Sequence, residues 1–192
     1  MNDFFLAENR TYSVEIDEDS VVEVRQFLVR ELDKVEVFAN QIRLALKKDW
    51  CTDDLHPLIN TNQIAVIMLI SELTTLSKDL TIKLKEDYPN KLIEIFEMLL
   101  VVNKAYFEQE NAKKPQDKKE KTTWFDSFQF LISKGHRHKD ILNYSFGAFL
   151  EYLKAAQRHE RNSILSQSSV MRVAYHADKK GFSNYTNEVN KD

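Results

Sequence analysis

The sequence predicts a mainly α-helical protein: an N-terminal helical domain with a minor two-stranded β ribbon, a linker, and a C-terminal helical hairpin module. Three observations predict it. Apolar residues recur at spacings of three and four over most of the chain, the period of helices with one buried face. Only 3 glycines and 3 prolines occur in 192 residues, too few for a turn-rich all-β fold or a glycine-built phosphate loop. Hydrophobic residues make up 43% and charged residues 30%, the makeup of a globular chain, and at this size roughly 70% of the unfolded surface is buried on folding. Such a core needs no metal or disulfide staple. The single cysteine, Cys51, excludes an intramolecular disulfide and a cysteine-based zinc site, which fits a reducing compartment.

Along the chain, Tyr12, Val14 and Ile16 alternate, as do Leu80, Ile82 and Leu84, and together they predict the two strands of a ribbon. Ser20 stands three residues ahead of Glu23 in a capping-box pattern, and Val24, Phe27, Leu28, Val35, Phe38, Ala39, Ile42 and Leu46 follow at helical spacing. The expectation is a long helix over 20–48. His56 and Pro57 are expected to break the chain, and Thr61 or Asn62 to cap a very apolar helix from Ile64 toward Leu76, central to the core. Asp87, Tyr88 and Pro89 open a third helix, carried by Leu92, Ile95, Phe96, Leu99, Val102, Tyr106 and Phe107 to about residue 110. Asn103 falls near its apolar face, where a buried amide must be hydrogen-bonded, so its expected role is structural.

Residues 111–122 contain no large apolar side chain to offset the entropy of ordering and read as a flexible linker. After it, Thr123 caps a helix containing Trp124, Phe125, Phe128, Leu131 and Ile132, and Gly135 is placed to end that helix in the left-handed conformation. A turn over His136 to Asn143 leads to Ser145, the expected cap of a final helix running toward Lys180 until Gly181 stops it. The expected domains are therefore 1–110, the linker, a C-terminal module over 123–182, and a loose tail over 183–192. Trp124, Phe128 and Leu131 are assigned to the core; Phe125 and Phe130 are open between core and partner surface. The sequence shows neither an internal repeat nor a sustained heptad.

Charge is unevenly spread. Residues 1–110 hold 12 Lys/Arg and 21 Asp/Glu, a net of -9, whereas residues 111–192 hold 15 and 9, a net of +6, so the halves can face different partners. Ser133, His136 and Asp126 lie close in sequence without a nucleophile-elbow pattern, and a non-enzymatic role is expected. His136 and His138 are two apart and cannot share a helix face as metal ligands do; Glu15, Asp17, Glu18 and Asp19 lack the spacing and central glycine of a calcium loop. Neither a metal nor a cofactor is expected. The longest apolar run, Ile64 to Ile70, falls far short of the roughly 18 residues of a membrane span, and no basic segment precedes an apolar one at the N-terminus, so neither insertion nor standard export is expected. The order helix, glycine turn, short helix, helix over Phe128 to Arg158 has the outline of a helix-turn-helix, a DNA-binding alternative. Its second helix, however, opens Phe146-Gly147-Ala148-Phe149 with no side chain suited to base edges. The basic flank Arg137, Lys139, Lys154, Arg158 and Arg161 allows at most weak nonspecific nucleic-acid affinity.

The stretch Leu131-Ile132-Ser133-Lys134-Gly135-His136-Arg137-His138-Lys139-Asp140-Ile141-Leu142-Asn143-Tyr144-Ser145, followed by Tyr152-Leu153-Lys154-Ala155-Ala156-Gln157-Arg158, resembles the C-terminal part of tail assembly chaperones of long-tailed bacteriophages. Upstream, Leu99 to Phe107 is similar to the end of the N-terminal domain in phage tail-region proteins of this type. The resemblance covers residues 90–110 and, more specifically, 124–180. It implies an assembly factor made in a short form and a frameshift-extended long form, and Lys113-Lys114 or Lys118-Lys119 are compatible with A-rich slippery codons. It further implies a protein of the host cytoplasm that coats the tape-measure protein, recruits tail-tube subunits through its C-terminal part, and is absent from the mature virion. Phe125, Phe130, Arg137, Lys139, Arg158 and Arg161 are the candidate partner-binding residues, and a homo-oligomer is compatible with the sequence. A structural tail or connector subunit is the remaining alternative.

Overall fold

A computed structural model of the chain describes residues 2–17, 20–108 and 123–189. Among these the protein is mainly helical with one two-stranded antiparallel ribbon, as the sequence predicts. The chain forms two compact units, Met1–Glu151 and Tyr152–Asp192.

The first unit opens with α1 (Asp3–Ala7), capped by the Asn2 side chain, which accepts from Phe5 N at 2.9 Å. Strands β1 (Tyr12–Asp17) and β2 (Ser20–Val24) then pair with Val14 opposite Val22 and Ser13 opposite Glu23. The ribbon exists, but the partner of the first strand differs from the expected one. Val21, Val22 and Val24 are β-branched and place Val22 and Val24 inward with a period of two. The hydroxyls of Thr11 and Ser13, each 2.6 Å from the Glu23 carboxylate, hold that side chain across the ribbon and keep its pKa low. Ser20 and Glu23 are thus strand residues rather than a capping box. Leu80, Ile82 and Leu84 lie instead in a helix, where the buried residues Thr81 and Leu84 are three apart and Ser77 caps Leu80 N.

From Arg25 to Leu28 the chain is extended, and after a 3-10 turn over Val29–Glu31 helix α2 (Leu32–Ala45) buries Leu32, Val35, Ala39 and Ile42. The expected helix over 20–48 is therefore real only in its second half. Helix α3 (Thr52–Thr61) carries Pro57 inside it, contrary to the expected break. Burial of Leu55, Leu58 and Ile59 outweighs the lost backbone hydrogen bond, and Asp54 anchors the start by accepting from Cys51 N at 3.1 Å. Helices α4 (Gln63–Leu73), α5 (Lys78–Asp87) and α6 (Pro89–Val102) complete the core, and α6 also underlies both strands. The α6 row Leu92, Ile95, Phe96 and Leu99 is almost fully buried, each side chain contributing about 1.5–3 kcal/mol.

The third helix stops at Val102, short of the expected 110, because Asn103 turns its amide on the backbone. Its Oδ1 accepts from Phe27 N at 3.0 Å, and its Nδ2 lies 3.2 Å from Arg25 O and 3.1 Å from Leu99 O. A single further turn, α7 (Lys104–Phe107), follows. The proposed linker, 111–122, lies outside the described residues.

Beyond it, α8 (Trp124–Ser133) starts at Thr123, whose Oγ1 accepts from Asp126 N at 3.2 Å while Asp126 accepts from Thr123 N at 2.7 Å. The bond from Thr123 N, with a second that the carboxylate accepts from the Thr123 hydroxyl at 2.8 Å, holds the Asp126 carboxyl below its ordinary pKa. Gly135 ends α8 with φ +96°, and His136 N bonds back to Leu131 O. Within the expected turn, His138–Asn143 form α9, and Ser145 caps α10 (Phe146–His176), accepting from Ala148 N at 3.2 Å.

Residues 123–151 belong to the first unit, so the compact units do not divide at residues 111–122. The reason is direct pairing: Val29 N donates to Tyr144 O, Phe146 N to Phe27 O, and Ser145 Oγ to Leu6 O. In the second unit α10 ends at His176, short of the expected Lys180. Asp178 accepts from Gly181 N at 2.7 Å and starts α11 (Lys179–Val189), so Gly181 lies within a helix. Residues 183–189 are helical rather than a loose tail.

Replacing Asn103 with alanine leaves the buried Phe27 N–H without its acceptor, and a loss of about 2–4 kcal/mol is expected in urea unfolding. A second prediction concerns acid. Burial works against ionisation of Glu31, but the hydrogen bonds from Arg25 (2.7 Å) and Leu28 N (3.0 Å), with the charges of Arg25 and Arg30, outweigh it and hold the carboxyl below the ordinary value of 4.5. Its stabilisation is complete above the unfolded value and is lost as pH falls through the folded one. Glu31→Gln should lower the urea midpoint at neutral pH and converge on the wild type in acid.

Candidate interaction surface

Two apolar areas of the first unit face outward. The first is built by α2 and α4, which pack on each other. On α4, Ala65, Val66, Leu69, Ile70 and Leu73 turn inward, and the helical period throws Ile64, Met68 and Ser71 to the opposite side. Ile64 is 75% exposed, while Ile67 and Met68 are half-buried. On α2 the same spacing exposes Val37 (70%) and Leu44 (74%), with Gln41 between them. Gln41 Nε2 donates to Asn62 Oδ1 at 3.0 Å and ties the outer side of α2 to the start of α4. A helix as uniformly apolar as α4 is expected to be covered all round, and this one is not.

The second area is aromatic and lies on α8. Leu131 is fully buried, as assigned, and Phe128 is half-buried with its ring 5.9 Å from Phe149 and 5.8 Å from His138. Trp124 reaches the core with one face, 5.7 Å from Phe149, and leaves 49% of its surface outside. Phe125 is 77% exposed and touches only the edge of this cluster, 6.3 Å from Phe128.

Phe130 is on a different side of α8 from Phe125, since five helical positions separate them by about 140°. It is half-buried, with the Lys134 ammonium 5.5 Å from its ring centroid. Arg137 and Lys139 are exposed at the start of α9. Arg158 and Arg161 are exposed on α10, but in the second unit. Within the first unit Phe125 belongs to the aromatic area and Phe130 lies on another side of α8, while Arg158 and Arg161 belong to the second unit.

The first turn of α10, which a helix-turn-helix reader would place in a DNA groove, is committed to the core: Gly147, Ala148 and Phe149 are buried and Phe146 stacks on Phe27 at 5.6 Å. His136 Nδ1 lies 2.9 Å from the Tyr144 hydroxyl. Among the described residues no group of three or more His, Cys, Asp or Glu is placed to hold a metal ion, and no helix is long and apolar enough to cross a membrane. Compared with family models, curated proteins and solved structures, the chain matches none.

The outer face of α4 was missed by sequence reasoning, which placed that helix in the core. Its signal was present: seven consecutive apolar residues, Ile64 to Ile70, exceed what one buried side of an 11-residue helix accommodates.

Phe125→Ala should change unfolding stability by no more than about 0.5 kcal/mol, whereas Phe128→Ala should cost about 1–3 kcal/mol. Thermal unfolding of the two variants side by side checks whether Phe125 contributes to packing.

Proposed function

We propose that this chain is an assembly factor that shields the apolar face of a partner helix, in the role of a tail assembly chaperone of long-tailed bacteriophages. The tape-measure protein is its client, and tail-tube subunits are a second partner. The observation that carries the reading is the outward apolar face of α2 and α4, where Val37, Leu44 and Ile64 are each 70% exposed or more. Val37 and Leu44 stand seven positions apart on one side of α2, the i, i+7 spacing of the anchors by which an amphipathic helix lies in a groove. A tape-measure helix presents apolar residues that would otherwise drive aggregation, and covering them needs no covalent step and therefore no cofactor. The resemblance over residues 124–180 names the client class, and Phe125, Arg137 and Lys139, all exposed in the first unit, are the residues offered to the tube subunit.

A chain ending near residue 110, the short form that the resemblance implies, would lack Tyr144 and Phe146, which satisfy and cover Val29 and Phe27. The test is therefore made in the full chain. Leu44→Asp with Ile64→Asp removes two apolar anchors worth about 1.5–3 kcal/mol each, a loss of at least tenfold in affinity. Co-expressed tape-measure protein should stay soluble with the wild type and precipitate with the double variant, whose unfolding temperature should be unchanged. Precipitation with both, or solubility with both, refutes the reading.

A further inference from the structure

Between Tyr152 and His176, the part of α10 that belongs to the second unit, the helix holds four Lys/Arg and a single acid, Glu160. The cations are aligned. At about 100° per residue Lys154 and Arg172 fall on one line, five whole turns apart, with Arg158 about 40° to one side of it and Arg161 about 20° to the other. The row Lys154, Arg158, Arg161, Leu165, Ser168 and Arg172 thus runs along one face for about 27 Å, and every member is exposed. The half-buried residues Leu153, Ala156, Glu160, Ser163 and Val173 all lie about 100° or more from that line. Arg158, Arg161 and Arg172 make no ion pair among the described residues. Like charges one turn apart on a helix, as at Arg158 and Arg161, are unfavourable until a counter-charge meets them.

We infer that this row is a docking surface for double-stranded DNA, held through its phosphates without readout of sequence. Charge complementarity selects an anion, and the make-up of the row selects among anions. A protein partner needs an apolar centre depleted of charge, and Leu165 is the only apolar side chain in the row. Protein–DNA contacts are by contrast polar and strongly positive. A helix on a membrane surface buries its apolar side in lipid, but that side of α10, about 80–100° round at Leu153, Ile164 and Met171, also carries Glu160, which an anionic surface repels. A single strand is held by stacking its bases on aromatic rings, and the row has none. A duplex presents one phosphate charge about every 1.7 Å along a stiff rod, so a straight row of cations engages it over its whole length. Guanidinium groups bind phosphates through paired N–H donors, and such contacts carry no sequence information. The net of -9 on residues 1–110 repels the same polymer and leaves the contact to the second unit. This surface is separate from the buried first turn that a helix-turn-helix would insert, and it is independent of the assembly-factor reading.

Fluorescence anisotropy of a labelled duplex of about 30 base pairs, titrated with the full chain, tests it. Binding should weaken roughly 40-fold between about 50 and 200 mM salt, the result of three phosphate contacts with a slope of about 0.9 each, and should be the same for unrelated sequences. Arg158→Gln, Arg161→Gln and Arg172→Gln together should abolish it. Lys48→Gln, Lys78→Gln and Lys83→Gln remove the same charge from exposed positions of the first unit and should leave it intact. Glutamine forms helix about as well as arginine, so circular dichroism should be unchanged, and the single change Arg172→Gln should lower the salt slope by about 1. A wild type that does not bind at about 50 mM salt, or equal losses in the two triple variants, overturns the surface. Tighter binding to poly-glutamate or to phosphatidylserine vesicles than to the duplex gives the row to an acidic protein or a membrane and overturns the DNA assignment.

Discussion

The structure of the first unit depends on the hydrogen-bonding of one extended strap, Arg25 to Leu28, between strand β2 and the 3-10 turn that opens at Val29. An extended segment inside a helical core must find a partner for every buried backbone group. Arg25 N donates to Leu73 O; Arg25 O and Phe27 N both bond the Asn103 amide. Phe27 O accepts from Phe146 N, Leu28 N donates to Glu31, and Val29 N to Tyr144 O. The strap is thereby held at once by the end of α4, the break after α6 and the junction of α9 with α10. Its aromatic side chain, Phe27, is 1% exposed between Tyr106 and Phe146, with ring centroids 5.1 and 5.6 Å away.

Where the sequence is legible, local chemistry and tertiary demand agree. The Thr123 cap, the left-handed Gly135, the Pro89 start of α6 and the Ser145 cap of α10 are each set by bonds within three or four residues, and all are visible in sequence. The strap is not. Val24, Phe27, Leu28 and Val35 satisfy a helical period well enough, and what prevents a helix there is an amide at position 103, too distant to enter a reading of local pattern. The strand β2 was hidden for a related reason: Ser20 and Glu23 mimic a capping box, whereas three valines in five residues and pairing with β1 decide the outcome.

The candidate surface was only partly legible. Aromatic density at the start of α8 exceeds what its buried side holds, and this already leaves Phe125 open between core and surface. The outward face of α4 was invisible because apolar content predicts burial only when enough structure exists to provide it. Here α2, α3, α5 and α6 pack on α4, and Ile64 is still left 75% exposed. Of the basic candidates, Arg137 and Lys139 belong to the first unit and Arg158 and Arg161 to the second, a division that their sequence spacing does not show.

The bond from Ser145 to Leu6 spans 139 positions, and Gly147 approaches Leu6 so closely that a β-carbon there would stand 2.9 Å from its Cδ2. A polypeptide emerges from the ribosome at about 5–20 residues per second, so the first helix and Phe27 wait on the order of ten seconds before the residues that seat them exist. The helical neighbours α2 to α6 need no such delay, since their contacts are close in sequence. Synthesis therefore builds the apolar face of α2 and α4 first and closes the amino-terminal end last. During that interval Leu6 and Phe27 are the residues most open to mistaken association.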